Sequence, residues 1–321
     1  MAYSVGGLIE ATDYNGFVST TAGANINATW GPGVTSAGYG QTNLATVSAG
    51  STVTAAQWAS LVNTIAATAN HQGTTITART APTAGTLIAV LSAVNTDITN
   101  CFNNRGNAAA NGSQFTGWTG TNSKLTDTSG ATWSITFTNT VTFANAASAR
   151  YFFNAGGRIR LDFSKTSVGN TGDPEWNDLA NTLCGDIFFT GGAFTQTIAG
   201  TAYTGTTRIG GTGTPTTLAT TTGFYDLTPG AAATTIYQQA ADTAPYTNNF
   251  IRVQVALNAS SDVLTFTTLW SASDGDPISG GTASSGATPG TAPTTICTYF
   301  PPSTTFLTNS WGTPSIAATT V

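Results

Sequence analysis

Between Trp133 and Phe143 the chain reads WSITFTNTVTF, with Trp133, Ile135, Phe137, Val141 and Phe143 on one side of a period-two pattern and Ser134, Thr136, Thr138, Thr140 and Thr142 on the other. Such alternation belongs to an antiparallel strand with one buried face. The same period runs through RIRLDFS, placing Ile159, Leu161 and Phe163 inward and Arg158, Arg160 and Asp162 outward. Arg160 and Asp162 are expected to form a modest surface pair. NFIRVQVALN turns Ile251, Val253, Val255 and Leu257 inward, and DIFFTGG, TTGFYDL, TTIYQQA and VLTFTTLW read as further strands. Ahead of RIRLDFS, YFFN is expected to end the preceding segment and close one end of the core, with Gly156 and Gly157 changing the chain direction.

A helical period governs the first hundred residues. From Val53 to Gly73, Trp58, Leu61, Val62, Ile65 and Ala69 share one helical face. Thr54 and Gln57 form a capping box, and Gly73 is the stop. A second helix is expected from about Thr86 to Asn104, through Leu87, Leu91, Val94, Ile98 and Cys101, laid on its own domain. The run from Ile9 repeats the pattern that begins at Val53, with Tyr14 matching Trp58 and Phe17 matching Leu61. It predicts a shorter helix that packs against the longer one. WGPGVTSAGYGQ, from Trp30 to Gln41, reads as a glycine-rich loop with aromatic anchors. DPEWNDLANTLCG, from Asp173 to Gly185, reads as one short helix with Pro174 in its first turn.

These elements predict a mainly β chain: a C-terminal antiparallel β-sandwich, jelly-roll-like, preceded by a small helical module. The expected boundaries are residues 1–104 for a helical and loop attachment module, 105–117 for a linker, and 118–321 for the sandwich with an extended tail. Gly280 to Thr295 reads as a long surface loop or arm. Phe306, Leu307 and Trp311 are costly to leave in water, so the tail is expected to dock on something.

Composition narrows the function. Only 7% of residues are charged, against about 25% in an average domain. Thr, Ser, Asn and Gly carry the polarity instead, and a surface poor in charge suits contact with other protein surfaces. A net charge of -5 lacks the phosphate-neutralising patch that nucleic-acid binding needs. The sequence shows no apolar run of membrane-spanning length and no signal-peptide pattern at MAYSVGGLIEA, so no membrane partner is expected.

Cys101, Cys184 and Cys297 are scattered and read as buried small hydrophobes, and His71, the sole histidine, as a helix-end hydrogen bonder. No GxSxG, HExxH or P-loop pattern is present. No catalytic residue, cofactor or metal is therefore expected, and the chain does not read as an enzyme. Asp173, Glu175 and Asp178 suit a helix N-terminus, and Asp274 and Asp276 a turn. A polysaccharide depolymerase would draw first on Asp173, Glu175, Asp274 and Asp276.

ATDYNGFV, GYGQ, VSAGSTVTAAQWASLVNTI and HQG, together with WSITFTNTVTFANAASARYFFNAGGRIRLDFS, EWNDL and YFPPSTTFLTNSWGTP, carry a resemblance. The chain resembles virion structural proteins of tailed bacteriophages, especially contractile-tailed cyanophages, over most of its length and least from Gly191 to Tyr246. The resemblance implies a structural component of the particle, in the tail, neck or a fibre, localised to the virion. Its implied partners are other copies of itself, with a trimer expected, and other virion proteins. The alternative is a receptor-binding module for host-surface glycan. Trp118, Trp270, Phe306 and Trp311 are the candidate interaction residues, and the three tryptophans are the candidates for an exposed shelf.

Overall fold

The computed structural model describes residues 10–19, 25–84, 93–121, 133–166, 173–244, 246–272 and 293–320. Its first part is helical: α1 (Ala11–Val18), α2 (Ile26–Trp30), α3 (Ala55–Gln72) and α4 (Val94–Asn103). The repeated pattern makes a pair in space. Tyr14 and Phe17 of α1 set their rings edge-on to Trp58 of α3, with centroids 5.5 and 6.1 Å apart. Ile26, Leu61, Ile65, Val94, Ile98 and Cys101 complete this core.

The capping box of α3 is formed: the Thr54 amide donates to Gln57 Oε1 at 2.8 Å, and the Gln57 amide donates to Thr54 Oγ1 at 3.3 Å. Gly73 ends the helix at φ +70°. The described part of the second expected helix is α4, so Leu87 and Leu91 lie outside the described residues. Asp97 of α4 is buried, pairs with Arg79 at 2.5 Å and accepts from the Thr77 amide, which straps the segment before it to the helices.

The remainder is mainly β. The strands are β1 (Phe115–Thr121), β2 (Trp133–Thr142), β3 (Arg158–Ser164), β4 (Asp186–Phe189), β5 (Gln196–Ile198), β6 (Thr201–Tyr203), β7 (Thr206–Ile209), β8 (Thr217–Leu218), β9 (Thr234–Ala240), β10 (Phe250–Leu257), β11 (Val263–Ala272), β12 (Thr294–Phe300) and β13 (Ser315–Thr320). One antiparallel sheet runs β1-β12-β3-β4-β7, the other β13-β2-β11-β10-β9-β8, and β5 and β6 form a hairpin. The inward rows meet in one core, where Phe163 lies 6.4 Å from Trp270 and Phe189 lies 5.3 Å from Phe266. The inward row of β2 also contains Asn139, which is fully buried with neither amide atom bonded.

Several expectations change. YFFN belongs to α5 (Ala146–Asn154), capped by Asn145, and the helix pushes Phe152 and Phe153 into the sandwich core. DPEWNDLANTLCG forms α6 (Asp173–Asp178) and then widens into a π turn over Leu179–Leu183. The last carbonyls of this turn, which no helical amide reaches, are met from outside: the amides of Thr212 and Gly213 donate to Thr182 and Leu183, and Arg208 also donates to Leu183. TTGFYDL is a 3-10 turn at Phe224–Asp226 rather than a strand, because Asp226 turns back to accept from the Gly223 amide at 2.8 Å. Arg160 pairs across strands with Asp186 at 3.4 Å, not with Asp162.

The stretch 105–117 is packed rather than free. Ala108 bridges to Ile198, Asn111 bridges to Pro302, and β1 already begins at Phe115. The glycine-rich loop joins the helices to the sandwich. Arg150 of α5 donates to the carbonyls of Pro32 and Thr35, and Asn154 donates to that of Gly38. Gly40 has φ +72°, and a Cβ there would stand 2.4 Å from the Tyr151 ring. The tail docks on this same loop: Thr308 donates through its amide and hydroxyl to Gln41 Oε1, and Gln41 Nε2 donates to the Thr308 carbonyl.

Candidate binding groove

A groove lies where β1 starts, β12 ends and the tail returns. Phe115 and Tyr299 are register partners, and their rings stack at 4.9 Å with 30° between planes. Tyr299 is buried beneath, whereas Phe115 is 50% exposed. The register slips between Thr116 and Trp118. Such a bulge re-aims the side chains on either side of it. Trp118 therefore packs on the core, edge-on to Phe137 at 6.0 Å, and Phe115 is left as an open ring at the rim.

Pro301 and Pro302 follow β12 and fix the opposite wall. The Gly112 amide donates to the Pro301 carbonyl at 3.0 Å, and a side chain at Gly112 would strike the Pro302 carbonyl at 2.7 Å. Trp311 is 1% exposed and buried in the sandwich core. The groove between these walls has a volume of about 250 Å³. Among the described residues its lining contains no acid, base or thiol, and Tyr299 carries a titratable hydroxyl whose pKa burial raises. Ser113, Gln114, Thr304, Asn309 and Thr313 line the groove with exposed side chains that make no hydrogen bond among the described residues. The surface thus offers an aromatic face and neutral donors and acceptors. It can bind, and among the described residues its lining brings no nucleophile and base together.

The expected tryptophan shelf is not a surface. Trp270 is fully buried, stacks on Trp176 at 5.9 Å and donates from Nε1 to Thr295 at 3.2 Å. Trp311 is enclosed and borders the groove, and Trp118 is half-buried. The sandwich uses Trp270 and Trp311 to fill the space between its sheets, which removes those two rings from solvent. Phe306 is 42% exposed but does not line the groove. Phe115 is the residue that sequence reasoning missed. The available signal was Gly117 inside an aromatic strand, since a strand glycine often marks a bulge.

Among the described residues, no carboxylate lines the groove. Asp274 and Asp276 lie outside the described residues, and Asp173 opens α6. Glu175 is buried with Oε1 unbonded, and burial, with Asp242 and Asp178 nearby, raises its pKa. The carboxylates that meet are Asp162 and Asp186. Burial and the Asp162 charge raise the Asp186 carboxyl, and Arg160 opposes that rise. Neither lies in the groove. Cys101, Cys184 and Cys297 are buried, and desolvation pushes each thiol up to about 12, well away from nucleophilic thiolates.

His71 sits at the end of α3, where Nε2 donates to the Ala155 carbonyl at 3.1 Å and the ring meets Tyr39 edge-on. Among the described residues no helix is long and apolar enough to cross a membrane. No family model matches the chain, and neither a curated protein nor a solved structure shows detectable similarity to it.

Proposed function

We propose that the chain is a structural subunit of a tailed-phage particle, in the tail, neck or a fibre, working as a homo-oligomer attached through its helical module. The observation that carries this reading is the edge of the larger sheet. β13 pairs with β2 over six residues without a bulge and ends the strand order. Its sequence, SIAATT, contains no charge and no proline. Monomeric proteins commonly guard such edges with lysine, proline or a bulge, because an open regular edge pairs with other chains. The edge is therefore suited to burial against a neighbour. The charge-poor composition agrees, and part of the small charge complement is itself internal: Arg79, Asp97, Arg158 and Glu175 are buried.

Two measurements test the reading. Mass spectrometry of purified particles from an infected host should detect the chain at many copies, and light scattering of the purified protein should give a closed oligomer, with a trimer expected. Symmetric closed assemblies are the rule for such subunits. A monomer in solution together with absence from the particles would overturn it.

A further inference from the structure

We infer that the groove beside Phe115 is a binding site for neutral saccharide. This goes beyond the assembly reading and does not depend on it, since the groove is built within one chain. Sugars present two surfaces to a protein: C–H faces that lie against aromatic rings and hydroxyls that need neutral donors and acceptors. The groove supplies both. Phe115 offers an open ring, backed by the buried Tyr299 ring at 4.9 Å. That backing holds the platform in place before a ligand arrives, which lowers the entropic cost of binding. Gln114 and Asn309 bring amides, and Ser113, Thr304 and Thr313 bring hydroxyls, all uncommitted among the described residues.

The rival occupants fit less well. An anionic saccharide or phosphate would find no cation in the lining, and a cationic peptide would find no carboxylate. A charged ligand would therefore lose hydration without gaining a partner. A volume of about 250 Å³ admits a sugar unit or two at the mouth of an open groove rather than an enclosed cofactor.

The test uses the full chain, titrated by ligand-observed NMR with neutral gluco-, galacto- and manno-oligosaccharides and with a sulfated oligosaccharide and a proline-rich peptide as comparisons. At least one neutral oligosaccharide should bind. Phe115→Ala should weaken that binding by about tenfold or more, Asn309→Ala should weaken it less, and Phe115→Tyr should restore it. Phe115 is half exposed, so circular dichroism should show each variant folded. Oligomeric state should not change, which separates failure here from failure of the assembly reading. Absence of binding by every neutral oligosaccharide overturns the inference. So does affinity unchanged in Phe115→Ala, or preference for the sulfated sugar or the peptide.

Discussion

Acid should loosen the joint between the helices and the sandwich through His71. The imidazole is 2% exposed, donates to the Ala155 carbonyl and lies against Tyr39. Around it, Gln72 donates to the Tyr39 hydroxyl, which in turn donates to the Arg105 carbonyl, so the local partners serve a neutral ring. Burial pulls the His71 pKa from 6.5 down to about 4, against the opposing pull of the Ala155 hydrogen bond. A pKa depressed on folding means the unfolded chain takes up the proton first. The neutral ring's contribution is therefore complete above the ordinary value and is lost as pH falls from 6.5 through about 4. At 1.36 kcal/mol per unit, the loss is about 3 kcal/mol.

Urea melts of the native chain and of His71→Gln, from about pH 7 to about pH 4, measure this. Gln keeps an amide donor for Ala155 and has no proton to gain. The variant should cost about 1 kcal/mol near neutrality and lose about 3 kcal/mol less on acidification. Parallel loss in both proteins would show that the carboxylates alone drive acid unfolding and that the imidazole has no part in it.

Other substitutions probe separate features. Asp97→Ala removes the buried carboxylate that holds Arg79 and the Thr77 amide and should cost about 3–5 kcal/mol in urea melts, whereas an exposed pair would cost about 1 or less. Gly40→Ala meets both the Tyr151 ring and an unfavourable φ, and should cost about 1–3 kcal/mol, seen as a lower Tm. Asn139→Leu removes a buried amide without partners and should raise stability by about 1–3 kcal/mol, and a fall would mean that the amide is satisfied after all. Glu175→Gln should be more stable than the native chain near pH 7 and less so below about pH 4. Its folded pKa is raised, so the charged form is the one penalised.

The parts of the fold that could be read from sequence were those where one periodicity settled the matter. β2, β3 and β10 alternate so regularly that the inward set followed directly, and the match of Tyr14 to Trp58 and Phe17 to Leu61 foretold a helix pair. Asn139 broke the rule because a polar residue in an inward slot carries no periodic signal of its own. The π turn was hidden because its last carbonyls are met by distant groups, Arg208, Thr212 and Gly213, and the 3-10 turn because a local bond from the Gly223 amide to Asp226 overrides the strand-like pattern. The groove was the least legible feature. It needs a bulge in β1, two prolines after β12 and a returning tail, segments nearly two hundred residues apart, and aromatic type alone pointed to tryptophans that the core consumes.

The clasp between Gln41 and Thr308 spans 267 positions of sequence. On a ribosome, the amide of residue 41 emerges long before its partner exists. The early helices can pair while synthesis continues, but the glycine-rich loop stays unfinished until Thr308 has been made. Chains that stop before Thr308 would leave Gln41 unclasped, a defect that quality-control proteases can recognise.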